Sequence, residues 1–157
     1  MAAVLDTSGI LRSDLNFSDG NYLITNSVLE EIRDEMVRTA LNSAIRYGNI
    51  RIMDPDKDSV KRVKTVAEET GYRGELSHAD IDVIALALEK RATIVSDDYS
   101  IQNVASILKL RYRGIVQDGI KRELRLVKVC EACNREYTEE EFCSVCGSRL
   151  RKVAKPI

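Results

Sequence analysis

Short apolar runs and longer amphipathic stretches alternate along most of this chain. Ala2 to Leu5 is a brief apolar run that reads as a buried strand. The segment "NYLITNSVLEEIRDEMVRTALNSAIRYGN" opens with a second such run and then changes period. Val28, Ile32, Met36, Ala40 and Ala44 recur at every fourth position, predicting one long helix capped at Asn26 or Ser27 and stopped at Gly48. "IRIMDP" predicts a strand ended by Pro55, followed by a charged amphipathic helix up to Gly71. "ELSHADIDVIALALEK" predicts a capped, largely buried helix, "ATIVSDD" a strand and turn, "YSIQNVASILKL" a helix, and "RGIV" a last short strand. Strands in regular alternation with helices predict an α/β sandwich built on a mainly parallel sheet.

The rhythm stops at "QDGIKRELRLVK", residues 117–128. We therefore expect an α/β body over 1–116, a basic linker over 117–128, a small module over 129–150 and a basic tail over 151–157. A chain of 157 residues can bury one core and carry an appendage, but the appendage is too short to hold together without a staple.

The cysteines supply that staple. Cys130, Cys133, Cys143 and Cys146 form two Cys-x-x-Cys pairs. Each pair aims two thiolates at one point, and the two together complete a tetrahedral sulfur cage suited to one structural Zn²⁺, with iron as the alternative occupant. Gly147 lets the backbone turn beneath the ion. With no secretion signal visible and no apolar run long enough to span a membrane, metal binding is expected in place of disulfides, in a cytoplasmic protein with no membrane partner.

Acidic residues recur where strands end and helices begin. Asp6 follows the first strand, Glu30 and Glu31 open the long helix, Asp80 lies in the first turn of the buried helix, and Asp97 and Asp98 follow "ATIV". In an open parallel sheet such positions gather along one edge, where ligands bind. Converging carboxylates suit one or two hard cations, Mg²⁺ or Mn²⁺, which activate water and stabilise an in-line phosphoryl displacement. Taken singly, the same positions suit helix capping, and Ser77-x-x-Asp80 resembles a capping box. Asp80 and Asp82 cannot share a helix face, so only one should enter the site. An aspartate-nucleophile phosphatase would need a second acid two residues after Asp6, where Ser8 stands. His78, the sole histidine, reads as a helix-start residue and not as a base.

Charge divides along the chain. Residues 1–120 hold 15 Lys and Arg against 19 Asp and Glu, and residues 121–157 hold nine against six. A basic seam runs through Lys109, Arg111, Arg113, Lys121, Arg122, Arg125 and Lys128 into the cysteine module, where Arg135, Arg149, Arg151, Lys152 and Lys155 continue it. Such a seam can follow a phosphate backbone. Aromatic interleaving is sparse, so stacking recognition of single strands is not visible in the sequence.

"VLDTS", "SVLEEIRDE", "LSHADIDVIALALE" and "IVSDDYSIQNVA" resemble the four acidic motifs of PIN-domain nucleases. With the cysteine module appended, the chain resembles the Nin-one-binding (NOB) endoribonucleases in a compact archaeal-type form. The resemblance implies a PIN-like three-layer sandwich with a zinc ribbon. It also implies Mg²⁺- or Mn²⁺-dependent cleavage at the 3′ end of small-subunit ribosomal RNA precursor, leaving a 3′-hydroxyl and a 5′-phosphate. Carried over by motif, the catalytic set falls on Asp6, Glu31, Asp80 and Asp98, with Asp97, Asp82 and Ser96 supporting. Ser96 stands where many members have threonine. The implied partners are the rRNA precursor, the assembling small ribosomal subunit and a KH-type assembly factor. Two rival readings are a non-catalytic rRNA-binding assembly factor and a toxin-type PIN ribonuclease.

Overall fold

The short apolar runs do become strands: β1 (Ala3–Leu5), β2 (Tyr22–Ile24), β3 (Ile50–Ile52), β4 (Thr93–Val95) and β5 (Tyr112–Arg113). The computed structural model describes residues 1–12, 17, 18, 20–116 and 118–157. Gln117, the first residue of the expected linker, thus lies outside the described residues. The five strands are parallel and ordered β3-β2-β1-β4-β5. Successive strand residues such as Val4 and Leu5, or Ile94 and Val95, are all buried. That requires cover on both faces of the sheet. The cover comes from α1 (Thr7–Leu11), α2 (Asn26–Glu31), α3 (Glu35–Arg46), α4 (Lys57–Glu69), α5 (His78–Lys90) and α6 (Tyr99–Ile107). Helix α5 is buried continuously from Ile81 to Ala87 and packs between its neighbours as a core element.

One expectation about the helices fails instructively. The single long helix is two helices, and the break falls at Ile32–Asp34. Thr25, not Asn26 or Ser27, caps α2 by accepting from Val28 N at 3.2 Å. Asp34 caps α3 by accepting from Val37 N at 3.0 Å, and Ile32 between them is extended. A capping carboxylate competes with helix continuation, and extension lets Ile32 enter the core. Beyond the break the buried face is Val37, Leu41 and Ala44, while Met36 is 74% exposed. The consequence for the acidic positions is direct: Glu31 closes a short helix and does not open a long one. The last strand of the sheet is also displaced, to Tyr112–Arg113 in place of "RGIV".

The expected linker and tail contain the two longest strands of the chain. β6 (Leu124–Cys130) and β8 (Leu150–Pro156) pair antiparallel from Leu124↔Pro156 to Cys130↔Leu150, with β7 (Glu136–Tyr137) on the other side of β6. This sheet is fastened to the body. The side-chain amide of Asn103 donates to Leu124 O at 2.7 Å and accepts from Leu124 N at 2.8 Å. Leu126 N donates to Thr70 O at 2.8 Å, beside Gly71, whose φ of +79° and close approach to the Leu126 carbonyl leave no room for a Cβ. Lys152 pairs with Glu75.

Asn103→Ala leaves both backbone groups of Leu124 without their partner, so we expect a loss of roughly 1–3 kcal/mol. Urea titration followed by far-UV circular dichroism measures it, and an unchanged midpoint would contradict the docking role.

Candidate functional site

The strand order reverses between β1 and β4, because the chain starts at the centre of the sheet, builds outward to β3, and returns. Ligand crevices of open parallel sheets form outside the strand C-termini at such a switch point. Asp6 follows β1 at that point, and Ser96, Asp97 and Asp98 follow β4. Asp6 is 3% exposed. It caps α1 by accepting from Gly9 N, takes the Ser8 hydroxyl on both oxygens at 3.0 and 2.9 Å, and accepts from the Ser96 hydroxyl. A Cβ at Gly9 would meet both Val95 O and the Asp6 carboxylate, so the tight turn from β1 into α1 requires glycine there. Ser96 Oγ in turn accepts from Asp98 N at 3.0 Å.

Asp98 caps α6, accepting from Ser100 N at 2.7 Å, and its side chain is exposed at the crevice rim. Asp80 sits in the capping box of α5 expected from the sequence, its Oδ2 accepting from Ser77 N at 2.7 Å. Glu31, at the end of α2, accepts from the Thr7 hydroxyl.

Electrostatics ties the four together. Burial pushes the Asp6 carboxyl above its usual value of 3.8; donation from Ser96, Gly9 and Ser8 offsets part of this, and the charge of Asp80 raises it further. Burial likewise raises Asp80, against the hydrogen bonds from Ser77, with the charges of Asp98 and Glu31 adding to the rise. Each acid thus lies in the field of another. Oxygen donors are what a hard cation prefers, and among the described residues no three of these carboxylates bring an oxygen each within 4.8 Å of one another.

The supporting acids separate. Asp97 is buried and structural: it pairs with Arg12 at 3.2 Å and accepts from Ile115 N at 2.7 Å and from Val116 N at 3.2 Å. Of the pair after β4, Asp98 therefore faces the crevice. Asp82 accepts from Ser27 Oγ at 2.7 Å and lies 3.3 Å from His78 Nε2, so it braces α5 against the start of α2. Sequence reasoning missed Thr7 and Ser8. The polar run "DTS" directly after a strand was the available signal, and Ser8 links the two sides of the switch by accepting from Asp97 N at 3.1 Å.

In the small sheet, the four cysteine sulfurs lie within 4.8 Å of one another, the only such group of three or more metal-binding side chains among the described residues. Cys130 and Cys146 Sγ are 3.4 Å apart, and Cys133 and Cys143 Sγ 3.6 Å. Sulfurs around a tetrahedral ion at about 2.3 Å stand at similar separations. The Tyr137 hydroxyl and the Cys146 backbone N–H hold the Cys143 thiol down at about 5. The Cys133 thiol is favoured as thiolate by the Arg135 N–H, yet burial and the neighbouring sulfurs push it up to about 11. Crowded thiols of this kind need a cation to ionise together.

The basic residues do not form one track. Lys109 and Arg111 precede β5 and lie with Arg62 and Arg91 at the sheet edge opposite Asp6. Arg113 follows at the crevice edge, near Leu5 and Gly9. Lys121 and Arg122 line a cavity at the start of α6. Lys128 is committed inside the small sheet, donating to Glu139 O and Glu140 O at 2.8 and 2.9 Å. Arg151 lies 3.6 Å from Glu131, and Lys155 pairs with Glu136. Arg125, Arg135 and Arg149 are exposed.

Because Asp6 and Asp80 are raised above 3.8, the native state favours their protonated forms. Their contribution to stability is complete below about pH 3.8 and is lost as pH climbs through the raised native values. Asp80→Asn keeps an acceptor for Ser77 N–H and removes one charge. In EDTA at pH 7 it should melt at a higher temperature than the parent, and the stabilisation that MnCl₂ gives the parent should shrink. Thermal melts at pH 4 and 7 check both.

The family described as the PIN domain of ribonuclease matches residues 3–89. Endoribonuclease Nob1 of Pyrococcus abyssi is 38% identical over 155 residues, covering 97% of this chain and 93% of its own. Ribonuclease VapC1 of Thermoplasma acidophilum is 35% identical over 153 residues, covering 97% of this chain and 78% of its own. More distantly, the 20S-pre-rRNA D-site endonuclease NOB1 of Saccharomyces cerevisiae is 26% identical over 105 residues, 64% of this chain and 23% of that protein. Among solved structures, VapBC2 from Rickettsia felis bound to a promoter DNA fragment contains a chain with TM-score 0.53 and 15% identity, covering 73% of this chain and 98% of that one; this is a likeness of fold. By full-length similarity and by the PIN match together, this chain belongs to the Nob1 family of PIN-domain endoribonucleases.

Proposed function

We propose that the acidic edge cuts the precursor of small-subunit ribosomal RNA at its 3′ end, with Asp6, Glu31, Asp80 and Asp98 holding Mg²⁺ or Mn²⁺ and the cysteine cage holding Zn²⁺. The observation that carries this reading is the placement of Asp6 after β1 and Asp98 after β4 at the switch point, with the charge of Asp80 acting on Asp6 and those of Asp98 and Glu31 acting on Asp80. The Nob1 relatives and the D-site activity named for the yeast relative support the substrate. PIN nucleases use divalent metals, and no helix among the described residues is long and apolar enough to cross a membrane, which suits a cytoplasmic site of ribosome assembly.

A bound divalent cation supplies Lewis acidity, activating water and stabilising charge on the phosphate. The chain's own residues do the positioning. Asp6 is held on both oxygens by Ser8, Gly9 and Ser96, so its carboxylate is oriented without reorganisation. Thr7 orients Glu31, and the caps of α5 and α6 hold Asp80 and Asp98 at the rim. The acids repel a phosphate until their charge is neutralised. Basic groups beside the crevice, Arg113 and the Lys121–Arg122 pair, offset this at a distance.

A toxin-type reading has one observation in its favour: the VapC1 relative matches 97% of this chain, so the match extends through the cysteine module. Growth arrest on expression, relieved by a neighbouring gene product, would favour it. Recruitment by a KH-type assembly factor belongs to the rRNA reading and is tested by co-purification.

The deciding experiment maps RNA ends after incubating the chain with small-subunit precursor particles in Mn²⁺ or EDTA. We expect one Mn²⁺-dependent cut near the mature 3′ end. Asp6→Asn should keep RNA affinity and lower cleavage by on the order of 10³-fold or more. Unchanged cutting by that variant refutes the assignment. Metal analysis should return one zinc per chain, lost on Cys130→Ser.

A further inference from the structure

Beside the acidic rim is a cavity of about 600 Å³ whose lining includes Tyr72, Tyr99, Asp118, Lys121 and Arg122. Its walls come from two parts of the chain. Tyr99 is the first residue of α6, immediately after Asp98, and is 53% exposed; Tyr72 is buried and forms the floor. The opposite wall is the stretch from Asp118 to Leu124. It is held over α6 by Gln102 Oε1 accepting from Ile120 N at 3.1 Å and by the two Asn103 bonds to Leu124. Gln102 also donates to Ser96 O at 2.8 Å, so one buried side chain sets both this wall and the floor of the acidic crevice. A Cβ at Gly119 would stand 3.1 Å from the Tyr112 ring, a close approach that brings the wall near the body.

A flat exposed aromatic ring beside two exposed cations is the combination that holds single-stranded nucleic acid, the ring stacking on a base and the cations meeting phosphates. Asn103 has spent its amide on Leu124 and is a wall, not a reader. Asp118, the one carboxylate of the lining among the described residues, can only accept, from a base N–H or a ribose hydroxyl. We propose that this cavity is a nucleobase subsite: a base of single-stranded RNA lies on Tyr99, with flanking phosphates on Lys121 and Arg122. The subsite places a nucleotide next to Asp98, and it rests on the ribonuclease reading for that placement relative to the scissile bond. Tyr99 is here a positioning residue.

The chain has no tryptophan, so Tyr99→Trp installs a single reporter. In the Asp6→Asn background, where chemistry does not enter, its fluorescence should be quenched by a short oligouridylate or oligoadenylate. An abasic ribose-phosphate strand of equal length should not quench it. In the same background, Tyr99→Ala should weaken binding of the base-bearing strand roughly tenfold and leave the abasic strand unaffected, and Tyr99→Phe should restore affinity. Removing both cations by Lys121→Gln and Arg122→Gln should weaken both strands and flatten the salt dependence. Equal quenching by the abasic strand, or equal affinity of Tyr99→Ala and its parent, overturns the proposal. Because only binding is read, a wild-type chain that fails to cut RNA would sink the nuclease reading and leave this result standing, and the converse holds.

Discussion

A buried carboxylate is costly to ionise, more so with other acids beside it, and the structure around the switch point holds Asp6 in that position with Asp80, Asp98 and Glu31 nearer the surface. Asp6 is the innermost member. Its burial raises its proton affinity, Asp80 adds to the rise, and Asp98 and Glu31 act on Asp80 in the same sense. Hydrogen bonds from Ser8, Gly9 and Ser96 offset part of the cost for Asp6, and Ser77 does so for Asp80. These donors also fix where each carboxylate points. On the proposed reading, the residual repulsion is what a divalent cation would relieve, and the charges that weaken the fold at neutral pH would favour its binding.

The scaffold serves this arrangement through close backbone approach. Gly9 permits the turn that carries Asp6 under β4, and the chain's return from β1 to β4 places Ser96 opposite it. Asp97 secures the edge from the other direction, tying Arg12 and the backbone after β5 to the switch. Gln102 and Asn103 on α6 then couple the crevice to the segment leading into β6. The cysteine-bearing sheet is therefore positioned relative to the acidic edge by specific hydrogen bonds and by the Gly71–Leu126 contact. The acidic edge and the cysteine cluster, oxygen and sulfur, are thereby carried on one connected framework.

The alternation of elements and most helix limits were legible because strands of this sheet are short, apolar and buried on both faces, while capping residues stand at nearly every helix start. The break between α2 and α3 was not. A four-residue apolar period runs unbroken through Ile32 and Met36, and only packing shows that Ile32 belongs to the core and Met36 to solvent. Likewise, basic residues 124–128 and 151–155 read as linker and tail because charge dominated the pattern. They are the outward positions and neighbours of two paired strands whose seven-residue register became visible only with the partner strand in place.

Residue type and spacing alone determined the sulfur cage, since two Cys-x-x-Cys turns can do little but converge, and they determined that acids follow strand ends. Tertiary structure decided which acids are taken up by structural partners. Asp97 and Asp98 are adjacent and chemically identical, yet one is consumed by Arg12 and two backbone N–H groups while the other faces the crevice. It also decided that the basic seam divides between opposite sheet edges and that Tyr99 stands beside Lys121 and Arg122. The physical reason is common to these cases: a side chain's direction depends on partners remote in the chain, and local pattern carries no record of them.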